Sequence, residues 1–143
     1  MKVEEIKALE RRWYEEANKG KAALEVMTNE NFDANYVAHL GTGRDIRGIA
    51  EANQFNNSFY EALPDLHFTL DDLIVEGDKA VARYTVTGTH KGAYRDIPPT
   101  NNKVTVWGIA IDRFVDSKFA ESWSRMDTLS LMQQLGAIPT PKK

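Results

Sequence analysis

Trp107, Arg113, Glu121, Trp123 and Asp127 lie on two consecutive alternating stretches, so the register of one hairpin decides whether these chemically able side chains meet. A three-residue loop, Asp116-Ser117-Lys118, pairs Val115 with Phe119, Arg113 with Glu121, Ile111 with Trp123 and Trp107 with Asp127. The odd-numbered residues then share a face. A two-residue loop pairs odd with even positions and separates Arg113 and Trp107 from Asp127. The longer loop is preferred, because it carries a type I turn followed by a left-handed residue, here Ser117. In that register Trp107, Ile109, Ile111 and Trp123 form an apolar wall with the Asp127 carboxyl at its end. Apolar surroundings favour the neutral acid, and a carboxyl poised near neutrality both takes and returns a proton. A second reading competes. Asp127 directly precedes Thr128-Leu129-Ser130-Leu131, the place of a helix N-cap, where the ionised carboxylate is the favoured form.

Other polar groups are candidates for holding a ligand. Arg113 offers a planar fork of donors to a carboxylate or ester carbonyl, or else forms a surface pair with Glu121. His39, His67 and His90 fall on separate strand segments without thiols or an i, i+4 partner, so no metal site is expected. His39 and His90 read instead as groups lining or rimming a pocket. Tyr36, Phe55 and Phe59, with Trp13, supply an opposite wall, or simply core. The segment Gly92 to Asn102, with Tyr94, Ile97 and Pro98, reads as a lid, and Asn101 suits a left-handed turn. No Ser-His-Asp order and no glycine-rich phosphate loop is found.

These residues need elements to position them. Val3, Ile6, Leu9, Trp13 and Ala17 recur at helical spacing up to Gly20, and a second short helix is expected over Lys21 to Met27, broken by Thr28-Asn29-Glu30-Asn31. A strand is expected over Ala34 to Leu40, and a third helix from Ile46 to Phe59, ended by Pro64. Beyond Pro64 the apolar period falls to 2, giving one hairpin, Leu66 to Val75 and Ala80 to His90, and a second, Lys103 to Val115 and Phe119 to Met126. Leu129 to Leu135 reads as a terminal helix capped by Gly136. Helices followed by antiparallel strands predict an α+β fold, with N-terminal helices on a sheet that curls into a cone and a ligand site at its mouth.

Composition narrows the function classes. A chain of 143 residues fits one domain, 1–143. Eighteen Lys and Arg against 21 Asp and Glu give a net charge of −3, which argues against nucleic acid as a partner. The absence of cysteine removes disulfides and thiol chemistry. The acidic start Met1-Lys2-Val3-Glu4-Glu5-Ile6 is unlike a signal peptide, and no apolar run approaches a membrane span, so a soluble, cytoplasmic protein is expected. A curved sheet with an outer face left partly apolar predicts a homodimer.

Several short motifs occur together in one order: Leu63-Pro64-Asp65-Leu66, Gly88-Thr89-His90-Lys91-Gly92, Ile97-Pro98-Pro99-Thr100, Glu121-Ser122-Trp123 through Asp127, and Leu131-Met132-Gln133-Gln134-Leu135-Gly136. With them, the stretch from about Asn31 to Ala137 resembles the SnoaL-like polyketide cyclases of the nuclear transport factor 2-like superfamily. That resemblance implies a cone-shaped α+β barrel and a cofactor-free intramolecular aldol closure, in which Asp127 matches the family's general acid/base. A methylene between two carbonyls is acidic enough for a carboxylate, so the resemblance calls for neither metal nor cofactor. The expected partner is a small hydrophobic carbonyl or polyketide-like ligand. Rival expectations on the same scaffold are a non-catalytic ligand-binding module, or an isomerase or epoxide hydrolase with a second polar group across the cavity.

Overall fold

The computed structural model describes residues 1–41 and 43–141. Helix α1 (Val3–Lys19) turns Ile6, Glu10, Tyr14 and Ala17 inward at spacings of four and three, and Gly20, at φ +129°, separates it from α2 (Lys21–Asn31). Helix α2 outlasts the expected stop at Met27. Thr28 Oγ1 donates to the Leu24 carbonyl (2.9 Å) and Asn31 Nδ2 to that of Met27 (3.0 Å), so these polar side chains are satisfied on the helix itself.

Strand β1 (Phe32–His39) leads to a second departure from expectation. Ile46 and Arg47 form a short strand, β2 (Ile46–Arg47), paired with Ala38 and Val37, and α3 (Gly48–Ala62) begins only after it. Gly48 makes that corner at φ +82°, a conformation glycine adopts without strain. The remaining elements are β3 (His67–Glu76), β4 (Lys79–Thr89), β5 (Lys103–Val115), β6 (Lys118–Met126) and α4 (Thr128–Gln134). The strands form one curled sheet in the order β2-β1-β6-β5-β4-β3, antiparallel except where β1 runs parallel to β6. The fold is therefore the α+β arrangement expected.

The decisive hairpin differs at its tip. Asp116 and Ser117, at φ +49° and +64°, form a two-residue turn with Val115 opposite Lys118. An irregularity beyond Phe114 then restores Arg113 opposite Glu121 and Ile111 opposite Trp123, the pairing expected of a three-residue loop. The odd-numbered residues do share a face, but it is the outer one. Even positions Val104, Val106 and Phe114 are buried under the helices, whereas Trp107, Ile109 and Ile111 are 51%, 38% and 37% exposed. On the inner face the small residues Ala80, Ala82 and Gly108 leave room for Tyr84 and for α1 to lie close. Among the described residues no helix is long and apolar enough to cross a membrane.

Candidate functional site

At one end of the inner face, Phe59 of α3 and Leu63 just after it, Val86 of β4, Val106 of β5, Met126 of β6, and Leu131 of α4 and Leu135 just after it surround an apolar cavity, and Tyr94 closes it from the loop after β4. Its volume is about 10 Å³, room for roughly one water. Of the two predicted aromatics Phe59 lines this wall, and Phe55 stands against it with ring centroids 5.1 Å apart.

The loop over the cavity is held by His90. His90 is fully buried, its backbone N–H donates to the Asn102 carbonyl, and its own carbonyl accepts from Asn101 N–H. Asn101 adopts the left-handed conformation expected for it, φ +62°. The Thr100 N–H donates to His90 Nδ1 (3.1 Å), and that network assigns the ring proton to Nε2, which has no partner among the described residues. Two residues earlier, the backbone at Gly88 lies against the Leu63 side chain of the cavity wall.

Asp127 sits between two cavity-lining neighbours, Met126 and Leu131. Its backbone N–H donates to the Trp107 carbonyl (3.0 Å), and its Oδ1 accepts from Ser130 N–H (3.1 Å) as the N-cap of α4. The cap reading is thus realised, with the residue held at the cavity end of β6.

Four other predicted ligand contacts, Trp107, Arg113, Trp123 and His39, stand elsewhere, because they follow the outward odd face. Trp107, Arg113 and Trp123 belong to the outer surface of the sheet, and His39 of β1 stacks on Trp123 at 5.5 Å. His39 bridges two carboxylates, with Nε2 2.7 Å from Glu121 Oε2 and Nδ1 3.1 Å from Asp45 Oδ2. Arg113 Nη2 reaches Glu121 Oε1 at 3.1 Å. The Glu121 hydrogen bond, foremost, raises the pKa of His39, and the His39 hydrogen bond lowers that of Glu121. Tyr36 is buried in the core, donating from its hydroxyl to Ser122 Oγ (2.8 Å).

A family model described as SnoaL-like polyketide cyclase matches residues 8–135. The chain belongs to the SnoaL-like polyketide cyclase family. TsrD from Streptomyces laurentii is 31% identical, with 96% of this chain and 99% of that one covered and a TM-score of 0.85. A candidate SnoaL-like polyketide cyclase from Jannaschia sp. CCS1 is 22% identical over 94% and 93%, with a TM-score of 0.84. AclR from Streptomyces galilaeus, a candidate hydroxylase, is 24% identical over 99% and 87%, with a TM-score of 0.87, and shares the fold. No functionally curated protein matches the chain.

Within this SnoaL-like domain, sequence reasoning missed a second polar centre. Glu10 and Asp112 are buried together beside Tyr14, Tyr36 and Tyr84. Burial, first of all, raises the pKa of Tyr84, whose hydroxyl hydrogen-bonds Ser124 and crosses the space that a side chain at Gly108 would fill. The available signal was phase. Glu10 occupies the apolar stripe of α1 between Ile6 and Tyr14, and Asp112 interrupts the inward series Val104, Val106, Phe114.

Proposed function

We propose that the chain is a cofactor-independent SnoaL-like cyclase acting on a small hydrophobic carbonyl compound, with Asp127 as general acid/base. The observation that carries this reading is the position of Asp127 between two cavity-lining residues, with one carboxylate oxygen fixed by the Ser130 N–H. In the proposed reaction the Asp127 carboxylate takes a proton from a methylene between two carbonyls of the substrate. The resulting enolate carbon attacks a third, more distant carbonyl of the same molecule, forming the new carbon–carbon bond and closing the ring, and the alkoxide takes the proton back from Asp127. Phe59, backed by Phe55, supplies apolar contact, and the His90 Nε2–H, which has no partner among the described residues, donates to a substrate carbonyl. A cavity of about 10 Å³ requires the loop carrying Tyr94 to move aside before such a ligand enters.

The test uses Asp127→Asn, because asparagine keeps a cap acceptor for the Ser130 N–H and loses only the ability to carry the proton. Exchange of the acidic methylene protons of an aromatic β-keto ester into deuterated water, followed by NMR, is expected to be catalysed by the wild type and abolished in the variant. Equal exchange in both proteins removes Asp127 from the chemistry. The small cavity favours one second reading, a binding module, and ligand uptake without exchange in either protein selects it.

The outer face supports a homodimer. Register places Ile74, Val81, Ile111 and Trp123 in one apolar row across four strands, beside a charged row of Glu76, Lys79, Arg113 and Glu121. Two copies related by a twofold axis lay apolar row on apolar row. Sedimentation at micromolar concentration is expected to show a dimer that Ile111→Lys dissociates, and a wild-type monomer rejects it.

A further inference from the structure

Glu10 and Asp112 are 1% and 8% exposed, one projecting from the inward stripe of α1 and the other from the inner face of β5. Their carboxyls stand within hydrogen-bonding reach of each other, and no ion pair among the described residues includes either one. Their other contacts are unequal. The Tyr36 hydroxyl donates to Ser122 Oγ and Ser122 Oγ donates to Asp112 Oδ1 (2.5 Å), so Asp112 is served as a carboxylate. Glu10 Oε1 finds no donor among the described residues. Two carboxylates are acceptors only, so a buried contact between them holds only when one carries a proton.

The remaining titratable groups facing the pair are phenols: Tyr14 one turn along α1, Tyr36 on β1 and Tyr84 on β4. None supplies positive charge. Burial first, then the charge of Asp112 and the hydrogen bond to it, push the Glu10 carboxyl well above the usual carboxylate range, which places the proton on Glu10.

We propose that the Glu10–Asp112 pair is a proton-held latch that fastens α1 to the inner face of the sheet and releases it when the shared proton is lost. Strand β5 is hydrogen-bonded on both edges, to β4 and β6, whereas α1 is held by side-chain packing and, at its C-terminal end alone, by Asn18 on the Phe68 backbone and the Tyr60 hydroxyl on the Ala17 carbonyl, so the part of α1 around Glu10 is what yields. Deprotonation sets two negative charges against each other without a cation, and separation restores water to both. Because the folded-state pKa of Glu10 is raised, the latch is fully closed below the ordinary carboxylate range and is lost as pH rises through the raised value. Glu10→Gln replaces the shared proton with a fixed amide donor to Asp112 and makes the latch insensitive to pH.

Hydrogen exchange of the full chain between pH 5 and pH 9, corrected for intrinsic rates, reads this directly. Wild-type protection over Val3–Lys19 is expected to fall about tenfold or more relative to Lys79–Thr89, since one pKa unit of separation corresponds to a factor of about ten. In Glu10→Gln the two segments are expected to keep a constant ratio. Asp112→Asn, which removes the opposing charge, flattens the profile in the same way and serves if the first variant does not fold. A constant ratio in the wild type, or an equal fall in wild type and a folded variant, overturns the latch. If neither variant folds, the wild-type ratio alone decides.

Discussion

The two faces of strand β5 both carry apolar residues and differ in what covers them. Inward, Val104, Val106 and Phe114 are no more than 3% exposed beneath the helices, while Trp107, Ile109 and Ile111 on the outward side keep more than a third of their surface in water. The polar groups sort in the same way. Inside, Asp112 is met by hydroxyls and another carboxyl, whereas outside Glu121 is met by His39 and Arg113, and each charge has an opposite partner. An outer surface with paired charges tolerates being wet or covered. An inner surface with unpaired acids tolerates neither water nor a second negative charge, and that asymmetry locates the parts of the fold where small changes have large effects.

The sharpest way to test the contrast is truncation at matched positions. Phe114→Ala is expected to cost about 3–5 kcal/mol by chemical denaturation, because Phe114 is enclosed in the core with its ring tilted against that of Phe119, centroids 4.5 Å apart. Ile111→Ala, three residues away on the other face, is expected to cost under about 1 kcal/mol in the monomer. Equal losses would mean that the outer face is covered. Next in size, Gly108→Ala puts a methyl group 2.8 Å from the Arg125 carbonyl and against the Tyr84 phenol, an overpacking worth about 1–3 kcal/mol. A denaturation midpoint unchanged by that methyl would show that Tyr84 swings aside freely.

Much of this arrangement was legible in the chain. Helical spacing located α1, the change to period 2 after Pro64 located the two hairpins, and the pairing of Arg113 with Glu121, expected from a three-residue loop, is reached instead through a two-residue turn and the irregularity beyond Phe114. What alternation cannot supply is the side. Trp107, Ile109 and Ile111 are as apolar as Val104 and Val106, and only the packing of the helices decides which row is buried. For that reason the expected wall of Trp107 and Trp123 stands on the outside, while Phe59, placed by helical phase, lines the cavity with Phe55 packed against it. The corner at Ile46 was misread because two apolar residues in phase with a helix also fit a two-residue strand, and the pairing with β1 is a tertiary fact. The cap role of Asp127 was legible from its place directly before Thr128-Leu129-Ser130-Leu131, and the Ser130 N–H does bond its carboxylate at the end of β6.

Smaller effects separate the hydrogen bond of that cap from its charge. Asp127→Ala removes the acceptor for the Ser130 N–H and is expected to lower stability by about 1 kcal/mol, while Asp127→Asn leaves it within a few tenths. Thermal melts of the two variants check this, and equal losses would show that the carboxylate charge, not the hydrogen bond, secures α4.

The smallest expected effect lies on the outer face, where water screens the charges. His39 has its pKa raised chiefly by the Glu121 hydrogen bond, so its contribution to stability is complete below the ordinary histidine value of about 6.5 and is lost as pH rises through the raised one. Glu121 has its pKa lowered chiefly by the His39 hydrogen bond, so its contribution is complete above the ordinary carboxylate value and is lost as pH falls through the lowered one. The cluster therefore stabilises the wild type most between those limits. Melting temperature followed from pH 3 to pH 9 is expected to show a shallow maximum in that interval that His39→Asn flattens. The losses of the latch and of the histidine cluster as pH rises are separable, because Glu10→Gln leaves the histidine limb in place and His39→Asn leaves the Glu10 limb in place. A His39→Asn profile with both limbs intact would mean that solvent and salt already neutralise the outer cluster, and that pH acts on this fold from the inside alone.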